Sequence, residues 1–331
     1  RLRAKNIQVY EMRSHKSWDL FFAEKTAWRV HKLLGQLKPD VVISSLWSAN
    51  ILMRPLCFVR KIPLIAVLHN KASFLNPVKR FFDVLAAIFF SHSRVAVSEG
   101  VAHSYADYPV LGKLARAPFV IQNGIDADGL AARVATLRNQ KTLWPNKFIF
   151  GAVGRFISEK QMLVLIRAFN AFVKQLLASG KTRTELPCVC IVGDGPQFAQ
   201  ARALVKELGI WDVVLLVGKQ VDLAPYYAAF SAYISVSQTE GLSIALLEAL
   251  AVGLPVIISE QSGAARFLPS SDDGVLVDVG DEQAIVAGLA AMYLAHATYA
   301  ARASDRAQFV RENYSIARTA QAYADLVKSA V

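Results

Sequence analysis

A chain of 331 residues with 54% hydrophobic content and a formal net charge of +11 is too long for one average domain and holds enough apolar material for two cores. No apolar run is read as long enough to cross a membrane; the most apolar, Phe81 to Phe90, is short and carries Asp83, and is expected to be a buried helix. No signal peptide is read at the start of the sequence.

The charge is unevenly placed. Residues 1–123 hold 18 basic and 7 acidic residues, net +11, which leaves 19 of each sign and no net charge in the rest. A cationic half beside a neutral one fits nucleic acid, an anionic membrane surface or an anionic acceptor. The basic residues are scattered and no nucleic-acid motif accompanies them, which ranks membrane and acceptor above nucleic acid. Three cysteines, Cys57, Cys188 and Cys190, are a sparse set. Cys188 and Cys190 flank Val189 and are expected to share a strand face; core packing in a reducing cytoplasm is the reading for all three.

In chain order, the first half reads as alternating strands and helices: a strand over Asn6–Tyr10, a helix over Trp18–Gln36, a strand over Val41–Ser45 introduced by Lys38-Pro39-Asp40, and a strand over Leu64–Leu68 ending at His69. A helix over Val78–Phe90, a strand over Arg94–Ser98, a helix opening at Val101 and a strand over Pro118–Ile121 follow. That succession implies a doubly wound parallel sheet. His69 ends a strand where such sheets bind ligands, and a lone histidine there is either a structural hydrogen-bonder or a ligand contact. The polar stretch 126–146 reads as a linker.

The second half opens with a strand over Phe148–Val153, then Gly154-Arg155-Phe156-Ile157-Ser158-Glu159-Lys160, then an amphipathic helix over Met162–Leu177. A strand, a glycine turn, and an arginine and lysine before a helix make a site for a diphosphate, the guanidinium as a planar fork and the ammonium as a point charge. Strands over Val189–Val192 and Val213–Val217 end in Gly193-Asp194-Gly195-Pro196 and in Gly218-Lys219-Gln220-Val221.

Residues 233–258 then read strand, loop, helix, turn, strand, with the helix over Leu242–Val252 starting near Ser243 and stopped by Gly253. The amides of Gly241, Leu242 and Ser243 can meet an anion at that helix start. Glu240 precedes them and Glu248 lies inside the helix, too far apart to form one acid/base pair but each able to hold vicinal hydroxyls.

Glu240-x7-Glu248 followed by Gly253-Leu-Pro255-Val resembles family four of the retaining nucleotide-sugar glycosyltransferases. Gly154-Arg155 with Lys160, Gly193-Asp194-Gly195-Pro196, Gly274-Val275-Leu276-Val277, Val97-Ser98-Glu99-Gly100 and Asn123-Gly124-Ile125-Asp126 are similar to further parts of that pattern. The glycine expected after the lysine is Gln161, and Ser262-Gly263-Ala264-Ala265-Arg266 replaces the more usual Gly-Gly-x-x-Glu.

The resemblance implies an α/β protein of GT-B fold, two Rossmann-like domains facing a central cleft. Residues 1–125 would be the acceptor domain, 126–146 the linker, 147–312 the nucleotide-sugar domain and 313–331 a terminal helix crossing back to the first domain. The family's opening strand and glycine-rich loop have no counterpart before Asn6, so the first sheet is expected without them.

By the same resemblance Arg155 and Lys160 hold the diphosphate, Glu240 the donor sugar and Glu248 the ribose, His69 lines the cleft, and Lys219 to Val221 faces the base. The activity implied is retaining transfer of a sugar from a nucleotide diphosphate donor to an acceptor hydroxyl, in lipopolysaccharide, capsule or exopolysaccharide synthesis. The donor is a co-substrate, and no cofactor and no metal are expected. A glycan or lipid-linked acceptor, an anionic membrane surface under the basic domain, no nucleic acid, and a cytoplasmic location at the inner-membrane face complete the expectation. A sugar-nucleotide epimerase and a non-catalytic nucleotide-sugar-binding protein are the rival readings.

Overall fold

The computed structural model describes residues 8–10, 20–69, 72, 76–90, 93–107, 117–138, 147–240 and 242–330. The chain divides into two compact units, one of residues 1–120 with 324–331 and one of residues 121–323.

The first unit runs α1 (Leu20–Leu37), β1 (Val42–Ser45), α2 (Trp47–Arg60), β2 (Leu64–Leu68), α3 (Pro77–Phe89), β3 (Ser93–Ala96), α4 (Glu99–Ala106) and β4 (Phe119–Val120). Among the described residues its strands form a four-stranded parallel sheet in the order β1-β2-β3-β4. All five residues of β2 are buried, as in a strand covered on both faces. Residues 8–10 carry no strand structure, which corrects the strand expected from Asn6 to Tyr10: no ladder joins them to the sheet, and residues 6 and 7 lie outside the described residues.

Helix α2 has no counterpart among the expected elements, because Pro55 sits in its interior and removes one helical hydrogen bond. Burial of Asn50, Arg54 and Cys57 on its inner face holds it together all the same. Helix α3 starts at Asn76, whose side chain accepts from the Lys79 amide at 2.9 Å, with Pro77 at the first helical position. It departs from the buried helix expected of this run. Asp83 and Ala86 are buried, whereas Phe81, Phe82, Ile88 and Phe89 are exposed. The cause is Arg54, whose buried Nη1 lies 2.7 Å from Asp83 Oδ1 and draws the one acidic side chain inward.

The second unit runs α5 (Ala127–Arg138), β5 (Ile149–Val153), a 3-10 turn (Ser158–Lys160), α6 (Met162–Ala178), β6 (Cys188–Val192), α7 (Phe198–Leu208), β7 (Val214–Gly218), α8 (Ala224–Ala229), β8 (Ala232–Ser235), α9 (Ile244–Ala251), β9 (Val256–Ser259), β10 (Gly274–Val277), α10 (Glu282–Leu294), α11 (His296–Ala300) and α12 (Ala303–Tyr314). α13 (Ile316–Ala330) starts in this unit, and its last residues are counted with the first. The six strands are parallel in the order β10-β9-β8-β5-β6-β7, so the chain reverses direction across the sheet between β5 and β8.

One apolar layer gathers Phe150, Phe169, Phe172, Ile191 and Leu289; the opposite layer gathers Tyr227, Tyr233, Leu247, Leu250, Ile258 and Val310. Cys188 and Cys190, two residues apart on β6 and registered with Ile149 and Gly151 of β5, share a strand face as expected, and Cys188 at the strand's start also touches the first layer. All three cysteines are free and buried, and burial pushes Cys188 up to about 11 and Cys190 up to about 12.

The stretch 126–146, expected to be a linker, instead carries α5. Only Ala127 and Val134 of that helix are buried, so its weak apolar pattern hides the helical period. Among the described residues one helical run, 158–178, reaches the length and apolarity of a membrane span, contrary to the sequence reading; Leu165, Ile166, Phe169 and Phe172 bury its apolar side in the core of the second unit.

Candidate active site

The reversal between β5 and β8 leaves a crevice position at the carboxyl ends of these strands, where ligands of open α/β sheets bind. Two loops meet there. The first follows β5: the Gly154 amide donates to Val192 O at 3.0 Å, Arg155 is exposed, and the 3-10 turn ends in Lys160. Gly193, at φ 145°, faces Gly154 so closely that a Cβ would fall 1.8 Å from its carbonyl oxygen, which accounts for a glycine at the end of β6.

The second loop follows β8 and is pinned at both sides. The Gln238 amide donates to Glu159 O at 2.9 Å and the Glu240 amide to Ser262 O at 3.3 Å. These bonds bring Lys160 Nζ onto Glu240 Oε2 in a close ion pair whose side chains are 21% and 13% exposed. Ser243 then caps α9, its hydroxyl accepting from the Leu246 amide at 3.4 Å, with Leu242 half-buried just ahead of it. Gly241 lies outside the described residues.

Glu248, on α9, accepts a 2.8 Å hydrogen bond from the buried Tyr227 hydroxyl. Burial raises the Glu248 carboxyl above its ordinary value, and the Tyr227 bond pulls the other way. Burial also raises the Tyr233 phenol, and the charges of Glu240 and Glu248 both add to the rise, so this neutral ring feels the two carboxylates at once. Tyr227 is raised well above the ordinary range by burial and then by Glu248, which keeps it a hydrogen-bond donor. Neither tyrosine is among the residues that the sequence singles out. The helix α8 that carries Tyr227 is only six residues long and gives no periodic signal.

Lys219 and Val221 are exposed on the loop between β7 and α8, ahead of Tyr227. Asp222, next along, accepts from the Ala224 amide at 3.1 Å and fixes the start of α8. His69 belongs to the first unit, at the end of β2, with Nε2 2.6 Å from Ser45 Oγ. Burial lowers its pKa, so its imidazole is neutral near pH 7.

Gln161, where a glycine was expected, takes the left-handed conformation that a glycine adopts without strain, at φ 52° and ψ 35°, and its side-chain oxygen is buried without a hydrogen bond among the described residues. The substitution therefore keeps the backbone turn that delivers Lys160.

The arrangement is a cation and a carboxylate at a sheet's switch point, beside a helix start and a second, half-buried carboxylate. The family model described as Glycosyl transferases group 1 matches residues 134–308, more than half of the chain, and that described as Glycosyltransferase Family 4 matches residues 3–128. The lipopolysaccharide core biosynthesis glycosyltransferase LpsD of Rhizobium meliloti is 28% identical over 179 residues, 54% of this chain and 49% of that protein. The N-acetylgalactosamine-N,N'-diacetylbacillosaminyl-diphospho-undecaprenol 4-alpha-N-acetylgalactosaminyltransferase of Campylobacter jejuni is 30% identical over 174 residues, 52% of this chain and 43% of that protein. The chain spans about half the length, or less, of these curated relatives.

Among solved structures, Anabaena HepE in complex with UDP and glucose superposes with a TM-score of 0.80 at 18% identity, covering 99% of this chain and 88% of that one, and this shows a shared GT-B-like fold. With more than half of its length matched by one family model, and with the paired lysine and glutamate seated where the second sheet reverses, the chain belongs to the glycosyl transferases group 1 family.

Proposed function

We propose that this protein is a retaining hexosyltransferase that moves a sugar from a nucleotide diphosphate donor to the hydroxyl of a glycan or lipid-linked acceptor in cell-surface polysaccharide or lipopolysaccharide synthesis. The observation that carries the reading is the Lys160–Glu240 pair at the β5/β8 switch point. Departure of a nucleoside diphosphate places negative charge on its β-phosphate. Lys160, the exposed Arg155 beside Gly154, and the amides at the start of α9 are cations and dipoles available to meet that charge.

Glu240 accepts hydroxyl hydrogen bonds from the donor sugar while holding Lys160 in place until the diphosphate arrives. Glu248 accepts from the ribose, with Tyr227 orienting it. Lys219 to Val221 contact the base through the loop before α8, and the neutral His69 serves the acceptor side. No metal is used, since the cationic side chains do the work of a divalent ion.

The relatives named for lipopolysaccharide core synthesis and for a diphospho-undecaprenol acceptor, and the UDP bound to HepE, support this donor and acceptor chemistry. The cationic first half of the chain supports a cytoplasmic protein working at the inner face of the membrane. The test is a panel of nucleotide sugars scored by thermal stabilisation, since a ligand bound only by the folded state raises the melting temperature with its affinity. Stabilisation by one donor, followed by release of free nucleoside diphosphate only when acceptor is present, is expected. A panel in which no nucleotide sugar stabilises the protein overturns the proposal.

A further inference from the structure

Helix α3 is built inside out. Val78, Phe81, Phe82, Leu85, Ile88 and Phe89 recur at three- and four-residue steps, so they form one continuous apolar stripe along its 13 residues. A surface helix normally turns such a stripe to the core. Here Val78 is 63%, Phe81 60% and Phe89 65% exposed, while Asp83, on the opposite side, is 1% exposed and paired with Arg54. The apolar surface continues onto the end of α2, where Phe58 and Val59 are exposed and the Phe58 ring meets Phe90 edge-on at a centroid separation of 5.3 Å.

We propose that this stripe, with Phe58 and Val59, is a membrane-docking surface on which α3 lies in the plane of an anionic lipid interface. A helix with aromatic and aliphatic residues on one side and no charge in the stripe, about 20 Å long at 1.5 Å per residue, has the dimensions of an interfacial anchor. The charge around it selects the occupant. Lys61 is exposed beside Val59, and residues 1–123 carry net +11, so an anionic bilayer is attracted. A second copy of the same cationic unit would be repelled.

The inference deepens the membrane part of the proposed function and rests on that reading. Its readout does not depend on sugar transfer, and the residues involved lie outside the unit that carries Lys160 and Glu240.

The test is flotation of the whole chain with phosphatidylcholine vesicles and with vesicles containing about one third phosphatidylglycerol, comparing wild type with Phe81→Gln/Phe89→Gln. Both side chains are exposed, so the variant keeps its melting temperature and its stabilisation by donor. Binding to the anionic vesicles is expected, weak on phosphatidylcholine alone, and roughly tenfold or more weaker in the variant, as the loss of two aromatic insertions implies. Lys61→Gln lowers binding to the anionic vesicles further. Equal binding of variant and wild type, equal binding to both vesicle types, or a wild-type dimer in light scattering that becomes monomeric in the variant each overturns the proposal. Loss of donor stabilisation with vesicle binding retained would instead count against the transferase reading alone.

Discussion

Replacing Lys160 by alanine separates what the ion pair does for the fold from what it does for the reaction. The Lys160 and Glu240 side chains are 21% and 13% exposed, so the pair lies mostly out of water. It belongs between exposed pairs, worth about 0–1 kcal/mol, and fully buried ones, whose disruption costs about 3–5 kcal/mol. Lys160→Ala leaves the Glu240 carboxylate with no cation and is expected to lower the unfolding free energy by about 1–3 kcal/mol. Glu240→Ala is expected to cost a similar amount.

Lys160→Ala/Glu240→Ala leaves no orphan charge, and its loss of stability is smaller than the sum of the two singles. Transfer behaves differently. If Lys160 meets charge that develops on the departing diphosphate, kcat/KM falls by about 10² to 10³, and the double variant recovers none of it. Equilibrium denaturation gives the first quantity, and steady-state release of nucleoside diphosphate gives the second. Turnover like wild type in both single variants, with the fold intact, refutes the catalytic argument.

Tyr227→Phe removes the hydroxyl that donates to Glu248 at 2.8 Å; a charge-assisted bond of this kind is worth about 1.5–3 kcal/mol, so donor KM rises roughly 10- to 100-fold with kcat little changed. Because that bond favours the ionised carboxylate while burial opposes it, the variant's Glu248 titrates higher still, and the acid limb of donor binding moves to higher pH; a pH profile of KM that stays put counts against ribose contact by Glu248. Gln161→Gly relieves a left-handed non-glycine residue and removes a buried, unbonded amide oxygen, so stability rises by about 1 kcal/mol, read as a higher melting temperature. Arg306→Met leaves the fully buried Asp273, to which Arg306 Nη1 donates at 3.2 Å, with Arg302 as its remaining cation, and is expected to cost about 3 kcal/mol in denaturant unfolding, the low end for breaking a buried pair. Transfer in the presence of a chelator runs at the untreated rate, and recovery only on adding a divalent ion contradicts the metal-free reading.

Much of the second unit was legible because its strands are short apolar runs, β5, β6 and β7 ended by glycine, and buried parallel strands have few other ways to look. Alternation of apolar and polar residues was not needed: Ile149–Val153, Cys188–Val192 and Val256–Ser259 all fall where uninterrupted apolar residues predict them. Neither α5 nor α8 left a trace in the sequence. α5 buries two side chains, and α8 has six residues, so neither shows a 3.6-residue period. Apolar content also misjudged α3. It marks an apolar side correctly, but the direction in which that side points depends on Arg54, 29 residues earlier, pairing with Asp83.

The sequence alone determined the kinds of chemistry present and their order: a glycine turn with an arginine and a lysine, two glutamates bracketing a helix start, and a cationic first half. Local propensity and composition are properties of neighbouring residues, so they survive without a fold. Only the tertiary structure decided that Lys160 and Glu240, 80 residues apart, touch, that Tyr227 holds Glu248, and that α3 shows its apolar side to the outside. Those outcomes depend on the strand order β8-β5 and on which helix carries the partner of a buried charge, and long-range pairing of that sort leaves no mark on any short window of residues.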